Sequence, residues 1–339
     1  MLPDKPLLSI LVPAYNAERY IRQALTSLLK QTYPHIEILV CDDGSTDKTI
    51  EIIDSIVDAR IKLFRNDKNR GKNYTANYLL EKSGGQYISV HDADDVSLPI
   101  RFEKQMAFLV NHPEYALCGT NFIGFLDNGK IINKSNLELN SDQIRSKIKS
   151  SSQFHGPTIV FRKDILTEVG GFYRYFTRAE DIDFTMRVAE KFETANLKEH
   201  LYLYRHVPSS LTNEVNGFDM QRLGHAKLLY YLQRERKNHN GIDSLMKGDY
   251  ERIKLLEREF VEEYENDPTI ALRRGVFRLL DMRMYGNAVK LSLTALKRDY
   301  KLLNLKCVVY ACLKAISGQW QLLLTEKVDL SFLYDGTKG

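Results

Sequence analysis

The first third of the chain alternates between short apolar runs and amphipathic stretches. Residues 7–12 (LLSILV) form a continuous apolar run of strand length, and residues 17–29 then carry apolar side chains at helical spacing. The alternation repeats three times, with strands predicted at 36–40, 60–64 and 86–90, and helices predicted at 50–56, 73–80 and 99–110. Four successive strand–helix units predict an α/β fold with a doubly wound, mainly parallel sheet covered by helices.

From about residue 213 the pattern changes to long amphipathic stretches without a strand signal. Helices are predicted at 219–236, 250–264, 270–283, 287–298 and 302–316. We therefore predict two regions, an α/β domain at residues 1–212 and an all-helical C-terminal region at residues 213–339. Residues 273–300 have a helix–turn–helix pattern similar to a tetratricopeptide unit, although one unit does not make a repeat array.

Composition is typical of a globular protein but points to no particular partner. With 339 residues, of which 43% are hydrophobic, the chain can bury a substantial core. Its 48 basic and 44 acidic residues leave a net charge of only +4, so we expect no nucleic-acid partner. In the helical region, basic residues accumulate among Leu, Val and Tyr. Such helices could lie on an anionic membrane surface, or they could present a solvated face over a helical core.

The cysteines and the N-terminal residues bear on the cellular compartment. Cys41, Cys118, Cys307 and Cys312 match no usual zinc or redox spacing, so we expect reduced thiols. The N-terminal apolar run is too short for a signal peptide or a membrane-spanning helix. We therefore expect a cytoplasmic protein, with possible peripheral contact at the inner face of the cell membrane.

Polar residues follow three of the predicted strands at the point where each strand ends. They are residues 13–16, Asp42 with Asp43, and residues 92–95. Because the carboxyl ends of parallel strands share one edge of the sheet, these loops should line one ligand crevice. Three carboxylates within four positions, Asp92, Asp94 and Asp95, repel one another unless solvent, helix N-termini or a cation compensates. Hard carboxylate oxygens suit Mg²⁺ or Mn²⁺.

Four segments carry a resemblance to a known family. They are SILVPAYNAERYIRQALTSLLKQTYPHIEILVCDDGSTDKT, HDADDVSLPIRFEKQ, HGPTIVFRKDILTEVGGF and AEDIDFTMRVA. In order and spacing they resemble the inverting nucleotide-sugar transferases of glycosyltransferase family 2, over roughly residues 7–212. The resemblance implies the GT-A fold and a metal-dependent enzyme that uses Mn²⁺ or Mg²⁺. It further implies transfer of a sugar from a nucleotide diphosphate donor, with a UDP-sugar expected first. The acceptor would be a hydroxyl of a saccharide or lipid-linked saccharide, in surface polysaccharide or lipopolysaccharide biosynthesis.

The resemblance assigns the aspartate cluster to the donor and its metal. Asp94 is then the metal ligand, Asp92 a ribose contact or second metal contact, and Ala93 lies beside the donor. Asp95 would support this loop, or it could cap the helix that follows Pro99.

The first loops would seat the nucleotide. Pro13, Ala14 and Tyr15 would border the base, although Tyr15 could instead pack under the first helix. The resemblance assigns Asp43 to a uracil-type base.

The third strand–helix unit departs from the family pattern. Members usually carry Ala-Arg-Asn at this place, whereas this chain has Thr75, Ala76 and Asn77. Asn77 matches the expected donor contact, and the arginine is missing. Lys72 could supply the positive charge to the diphosphate, or it could be a solvated surface lysine.

Sugar transfer also needs a base, because an acceptor hydroxyl has a pKa far above neutral. Glu180 and Asp181 stand at the start of a predicted helix, where the helix dipole favours an anion. The resemblance makes Asp181 the base, with helix capping as the alternative, and Glu180 a group that orients the acceptor or the base. Displacement with one base implies inversion at the anomeric carbon.

The remaining candidates are acceptor and diphosphate contacts. In the family, the stretch with His155, Gly156 and Gly171 borders the acceptor, although His155 could equally be structural. Arg205 and His206 are diphosphate candidates. Family members often carry a histidine two positions after the arginine, where this chain has Val207.

Two other functions fit parts of the sequence. A sugar nucleotidyltransferase would need a glycine- and arginine-rich phosphate loop where residues 13–16 stand. A non-catalytic nucleotide-sugar-binding or scaffolding protein would not need both Asp94 and Asp181.

Overall fold

The computed structural model describes residues 5–148, 152–176, 179–207, 220–265, 269–281, 285–321 and 327–333. The chain divides into two compact units. The sheet unit comprises Met1–Ile123, Lys134–Arg205 and Asp329–Gly339, and the helical unit comprises Gly124–Asn133 and His206–Val328. The boundary predicted after residue 212 lies outside the described residues.

Half of the sheet is parallel and follows the predicted strand–helix units closely. Its strands are β1 (Leu8–Ala14), β2 (Ile36–Asp42), β3 (Ile61–Arg65) and β4 (Tyr87–Val90), in the order β3-β2-β1-β4. Its helices are α1 (Ile21–Leu29), α2 (Thr49–Asp54), α3 (Lys72–Lys82) and α4 (Arg101–Asn111). The predicted alternation is therefore confirmed, with boundaries shifted by a few residues.

The other half of the sheet is antiparallel. Its strands are β5 (Val96–Ser97), β6 (Tyr115–Phe125), β7 (Ile131–Lys134), β8 (Val160–Arg162) and β9 (Glu193–Arg205), and it adds α5 (Ser141–Lys147) and α6 (Glu180–Lys191). The sheet continues from β4 in the order β8-β6-β9-β5, with β7 paired to β6. One-turn 3₁₀ helices lie at Gly156–Thr158, Lys163–Leu166 and Ser331–Leu333.

β1, β2 and β4 are buried on both faces, which explains their largely apolar runs, whereas β3 at the end of the sheet is only partly buried. Along β1, Ile10 and Val12 pack with α1 and α4 on one face, while Leu11 packs against the cluster under α3 and α6 on the other. Alternation along a strand sends successive side chains to opposite faces, so both faces need apolar residues. Polar residues lie instead in the loops that follow the carboxyl ends of these strands.

The helical unit contains five long helices in the part of the chain that the structure describes. They are α7 (Met220–Asn238), α8 (Tyr250–Glu265), α9 (Ile270–Asp281), α10 (Tyr285–Arg298) and α11 (Leu302–Gln321). These match the five predicted helices, except that the predicted start at residue 219 and the predicted end at residue 283 lie outside the described residues. α9, α10 and α11 share a small core formed by Val276, Ala288, Cys307 and Ala311, among others. None of the described helices is long and apolar enough to cross a bilayer.

All four cysteines carry free thiols. Cys41, Cys118 and Cys307 are buried, and Cys312 on α11 is partly exposed. Burial and the neighbouring Asp43 and Asp42 carboxylates raise the pKa of Cys41 to about 12. Burial likewise raises the pKa of Cys118 and Cys307, so these three buried cysteines are core residues rather than reactive groups.

Candidate active site

The polar loops predicted to converge do lie along one sheet edge. The last residue of β1, Ala14, is in register with Asp42 at the end of β2. The backbone N–H of Asp43 donates to the Ala14 carbonyl at 2.8 Å, and that of His91, just after β4, donates to the Leu11 carbonyl at 2.9 Å. The loops after β1, β2 and β4 therefore border the same crevice, as ligand sites of such sheets do.

Asp43 organises the loop that leads into α3. Its carboxylate is buried and accepts hydrogen bonds from Asn66 Nδ2 at 2.7 Å and from the backbone N–H groups of Arg70 at 3.0 Å and Gly71 at 2.8 Å. Each carboxylate oxygen can accept two bonds, so Asp43 keeps some capacity for a base. Its assignment to a uracil-type base stays a prediction.

The three N-terminal candidates differ in exposure. Tyr15 is 46% exposed, Pro13 is half-buried and Ala14 is buried. The next residue, Asn16, has a positive φ of 47°, and its Oδ1 accepts from the Thr46 N–H at 2.9 Å. The loops after β1 and β2 are thus tied together, with the exposed Tyr15 ring beside them.

Lys72 and Asp92 form an ion pair in the crevice. Lys72 Nζ lies 2.6 Å from Asp92 Oδ1, and Lys72 is the first residue of α3. Burial alone would lower the pKa of Lys72, but the charges of Asp92 and Glu180 hold it well above its usual value. Burial would raise the pKa of Asp92, but Lys72 outweighs this and lowers it. Lys72 is therefore paired with Asp92 rather than only solvated, and its contact with a donor diphosphate stays a prediction.

Asp94 and Asp95 have different surroundings. Burial and the neighbouring Asp92 charge raise the pKa of Asp94 to about 6, and its carboxylate accepts no hydrogen bond from another described residue. Asp95 is fully buried and accepts from the Tyr202 hydroxyl at 2.8 Å and from the Arg205 N–H at 2.7 Å. Asp95 therefore anchors β9, and the first turn of α4 is met by Gln31, whose Oε1 accepts from the Phe102 N–H at 3.2 Å, so the alternative of an Asp95 cap is wrong.

Arg205 is tied to the aspartate loop. Its Nε donates to the Asp94 carbonyl at 2.8 Å, its Nη2 donates to Gln23 Oε1 at 2.8 Å, and its guanidinium lies 4.8 Å from the centre of the Tyr20 ring. These contacts fix the backbone that carries Asp94. His206 belongs to the helical unit, where its N–H donates to the Phe125 carbonyl at 2.8 Å. Diphosphate contacts from Arg205 and His206 stay predictions.

Asp181 lies at the second position of α6, against Gly156. The Gly156 N–H donates to Asp181 Oδ2 at 3.3 Å, and a Cβ on Gly156 would lie 2.7 Å from that oxygen. Burial raises the pKa of Asp181, with Lys72 opposing the shift. Burial and the Asp181 charge raise the pKa of Glu180 to about 7. The residue before them, Ala179, has a φ of 81°, which is a strained value for a residue other than glycine.

A buried ion cluster holds the loop that precedes α6. Asp183 accepts from Arg174 at 2.6 and 2.9 Å and from Arg187 Nε at 3.0 Å. Arg187 also donates to the carbonyls of Val169 at 2.6 Å, Gly171 at 2.7 Å and Phe172 at 2.6 Å. Gly171 has a φ of 92°, so this turn requires glycine. Gly171 therefore shapes the predicted acceptor loop through its backbone.

Asn77 binds the same loop. Its Nδ2 donates to the Tyr173 carbonyl at 2.8 Å, and its Oδ1 accepts from the Tyr173 N–H at 3.3 Å. Asn73, one turn earlier on α3, donates to the Phe176 carbonyl. The donor contact predicted for Asn77 is untested, and the structure gives it a contact with the loop of residues 169–176.

His155 lies in an aromatic cluster. Its ring centre is 4.5 Å from that of Phe122 and 4.8 Å from that of Tyr204. The His155 ring also interacts electrostatically with Asp92, the partner of Lys72. The predicted acceptor contact for His155 is not tested by these packing contacts.

Several residues of the site escaped sequence reasoning. Gln23, Tyr202 and Asn66 all bind candidate residues. Tyr202 sits in the alternating segment LYLYR, where nothing distinguishes it from Tyr204. Only Asn66, directly after the third predicted strand, carries the strand-end signal that could have identified it.

A family model for glycosyl transferase family 2 matches residues 9–170. A Bacillus subtilis (strain 168) protein named as the glycosyltransferase EpsE is 34% identical over 206 residues, which cover 59% of this chain and 73% of EpsE. This chain belongs to glycosyl transferase family 2. These comparisons confirm the expected family and the GT-A fold. They also show that this chain is a glycosyltransferase. The nucleotidyltransferase and non-catalytic alternatives are therefore set aside.

Two further proteins resemble the family 2 chain. The Escherichia coli UDP-Glc:alpha-D-GlcNAc-diphosphoundecaprenol beta-1,3-glucosyltransferase WfgD is 35% identical over 131 residues, covering 39% of this chain and 51% of WfgD. The crystal structure of S. aureus TarS 1-349 in complex with UDP-GlcNAc matches with a TM-score of 0.59 and 20% identity, covering 92% of this chain and 88% of TarS 1-349. The structural likeness supports the fold.

Among the described residues, no three His, Cys, Asp or Glu side chains form a metal-binding group. A cation that also binds donor phosphates needs fewer protein ligands. Asp94 fits such a role, because its carboxylate is partly buried and the Asp92 charge opposes its ionisation. A divalent cation would relieve both penalties.

Proposed function

We propose that this glycosyltransferase moves a sugar from a UDP-sugar to a hydroxyl of a saccharide or lipid-linked saccharide, with inversion at the anomeric carbon. One observation carries the proposal. Lys72 Nζ lies 2.6 Å from Asp92 Oδ1 beyond the carboxyl end of β4, and the charges of Lys72 and Asp181 act on each other there. The proposed base and the proposed anion-binding charge would then work at one end of the sheet.

The donor side needs positive charge, because a nucleoside diphosphate leaves as an anion. Asp94 and Asp92 would hold the Mn²⁺ or Mg²⁺, which would stabilise charge on the diphosphate. Lys72 supplies a permanent positive charge at the same place, since its pKa is held well above the usual range. Asp43, Tyr15 and the loop after β1 would seat the nucleotide.

The acceptor side needs a base, and Asp181 suits this role. Its raised pKa makes it a stronger base than an ordinary aspartate, and Gly156 permits a close approach from one side. The acceptor oxygen would bond to the anomeric carbon while the bond from that carbon to the diphosphate oxygen breaks. The hydroxyl proton would pass to Asp181, and the electron pair would leave with the diphosphate.

The comparisons support the choice of donor and acceptor. WfgD is named for a UDP-Glc donor and an acceptor linked to diphosphoundecaprenol, and TarS 1-349 was crystallised with UDP-GlcNAc. We therefore propose a UDP-sugar first and a role in surface polysaccharide or lipopolysaccharide assembly.

A donor screen tests this proposal. UDP-, GDP- and dTDP-sugars are incubated with the full chain and Mn²⁺ or Mg²⁺, and release of the nucleotide is measured. We expect turnover with a UDP-sugar and none after chelation. Asp181→Asn should retain donor binding by calorimetry and lose transfer, while the exposed control Glu168→Gln should keep both. Failure of every nucleotide sugar to bind or react would contradict the proposal.

A further inference from the structure

Helix α11 has apolar residues on two faces. Asn304, Cys307 and Ala311 are buried, with Cys307 and Ala311 in the core shared with α9 and α10. The opposite face carries the α11 stripe, which consists of Leu302, Leu305, Val309, Leu313 and Ile316. At about 100° per residue, these five positions fall within an arc of about 80°. The stripe is therefore continuous along the helix.

The α11 stripe faces solvent in the isolated chain. Its side chains are 67%, 47%, 52%, 61% and 63% exposed, in chain order. Single exposed leucines are common on protein surfaces, but a continuous stripe of this length marks an interaction surface.

Positive charge surrounds the stripe. Residues 285–321 contain six lysines and arginines and one acidic residue. Lys301, one residue before α11, and Lys306 on α11 are exposed and lie about 40° and about 20° outside the two edges of the stripe, whereas Lys314 lies about 100° outside it. Lys301 Nζ lies 2.8 Å from Asp299 Oδ2, and Lys314 Nζ lies 5.7 Å from the centre of the Tyr310 ring. The partner should therefore be apolar in its interior and anionic at its surface.

The positive charge on α11 favours one of two possible partners for the stripe, a bilayer, over the other, a second copy of the chain. A second copy of the chain would bring an equally basic α11 against the first, and the like charges would repel. A bilayer with anionic lipids offers a negative surface for the lysines and an apolar interior for the stripe.

We propose that α11 docks the protein on a bilayer surface that contains anionic lipids, with the α11 stripe immersed at the boundary between headgroups and acyl chains. The helix lies in the plane of the membrane, which agrees with the finding that no described helix can span a bilayer. This inference rests on residues of the helical unit alone and does not require the proposed sugar transfer.

Vesicle flotation with the full chain tests the apolar part. We expect binding to vesicles of phosphatidylcholine with phosphatidylglycerol. The double variant Leu313→Ser with Ile316→Ser should bind at least tenfold more weakly, because two apolar anchors are lost. Leu255→Ser on α8 is the matched control, since Leu255 is 54% exposed outside the stripe, and it should bind like the parent. Equal binding of the double variant and the parent would overturn the proposal.

Two lysine substitutions test the electrostatic part. Lys306→Gln, beside the stripe, should weaken binding about fivefold, and Lys314→Gln, farther from the stripe, should weaken it less; both effects should shrink as salt rises. Lys254→Gln on α8 is the control and should leave binding unchanged. Equal binding to vesicles without phosphatidylglycerol would contradict the proposal.

Light scattering tests the alternative that the stripe forms a dimer with a second copy of the chain. A dimer that Leu313→Ser abolishes, in a protein that does not bind vesicles, would assign the stripe to a second copy and overturn the membrane proposal. Thermal unfolding checks that each variant is folded, as expected for exposed positions.

Discussion

Gly156 and Asp181 are in direct contact at the start of α6. The Gly156 N–H donates to Asp181 Oδ2 at 3.3 Å, and a Cβ on Gly156 would lie 2.7 Å from both Cβ and Oδ2 of Asp181. Any side chain at position 156 must displace the proposed base. The Asp181 carboxylate can therefore occupy its position only because residue 156 is a glycine.

We expect Gly156→Ala to fold and to lower kcat about 100-fold, because a displacement of about 1 Å at a reacting group is enough for such a loss. Steady-state kinetics gives kcat, and calorimetry should show unchanged donor affinity. Gly286→Ala in α10 is the control, since its Cβ would meet nothing within 4 Å. An unchanged kcat would show that Asp181 is not the base or that it moves freely.

Lys72 should contribute to donor binding through its charge. We expect Lys72→Met to raise the Kd of the UDP-sugar about tenfold, because charged hydrogen bonds to the diphosphate are lost. Lys72→Arg should recover part of this loss. Lys82→Met, in the last turn of the same helix, is the control for the lost lysine. Calorimetric titration measures the Kd of each variant. Equal Kd values for Lys72→Met and the parent would show that Lys72 pairs with Asp92 and does not bind the donor.

Glu37 should make stability depend on pH. Burial alone would raise its pKa, but bonds from Lys62 at 2.7 Å, Ser9 at 2.5 Å and Gly84 at 2.7 Å lower it. Its stabilising contribution is therefore full above the usual glutamate pKa and is lost as pH falls through the lowered value. We expect Glu37→Gln to reduce the free energy of unfolding by about 1–3 kcal/mol at pH 7.

The difference should shrink in acid, because Glu37 itself becomes protonated there. Urea unfolding at neutral and acidic pH measures it, with the exposed Glu81→Gln as the control. A deficit that stays constant with pH would mean that the ion pair with Lys62 adds nothing.

Asp183 should be required for stability. Its carboxylate is the shared counter-ion of Arg174 and Arg187, and all three side chains are almost fully buried. We expect Asp183→Asn to lower the free energy of unfolding by about 3–5 kcal/mol, since it leaves two buried guanidinium groups without their counter-ion. Denaturant unfolding measures the change, with Glu168→Gln as the exposed control. A loss below about 1 kcal/mol would show that water reaches the cluster.

The parallel half of the sheet was predictable because its signals are local. Most of these strands are largely apolar runs, with β3 as the exception, and each is followed by its own helix. The antiparallel half depends on distant contacts. β5 has only two residues, and its partner β9 pairs through Val96 with Leu203 and Ser97 with Tyr202. No local pattern can specify such a pairing.

The candidate site also combines residues that local sequence signals could locate with partners that come from distant positions. Asp92, Asp94 and Asp181 stand at element ends, where the sequence pattern could locate them. The partners of these groups come from elsewhere, as in the contact of Asp95 with Tyr202 across 107 positions. The pairing of Lys72 with Asp92 likewise depends on where α3 begins relative to β4. Their roles in transfer stay predictions until the variants above are measured.

Because Cys312 is the least buried of the four cysteines, it is the position at which a thiol-reactive probe can be attached. Cys41, Cys118 and Cys307 are buried, so a maleimide dye should label Cys312 first in the folded chain. At about 100° per residue, Cys312 lies about 20° outside the edge of the α11 stripe. A polarity-sensitive dye at this position should shift its emission to the blue on binding vesicles. The unmodified sequence can thus report in real time whether α11 enters the membrane interface.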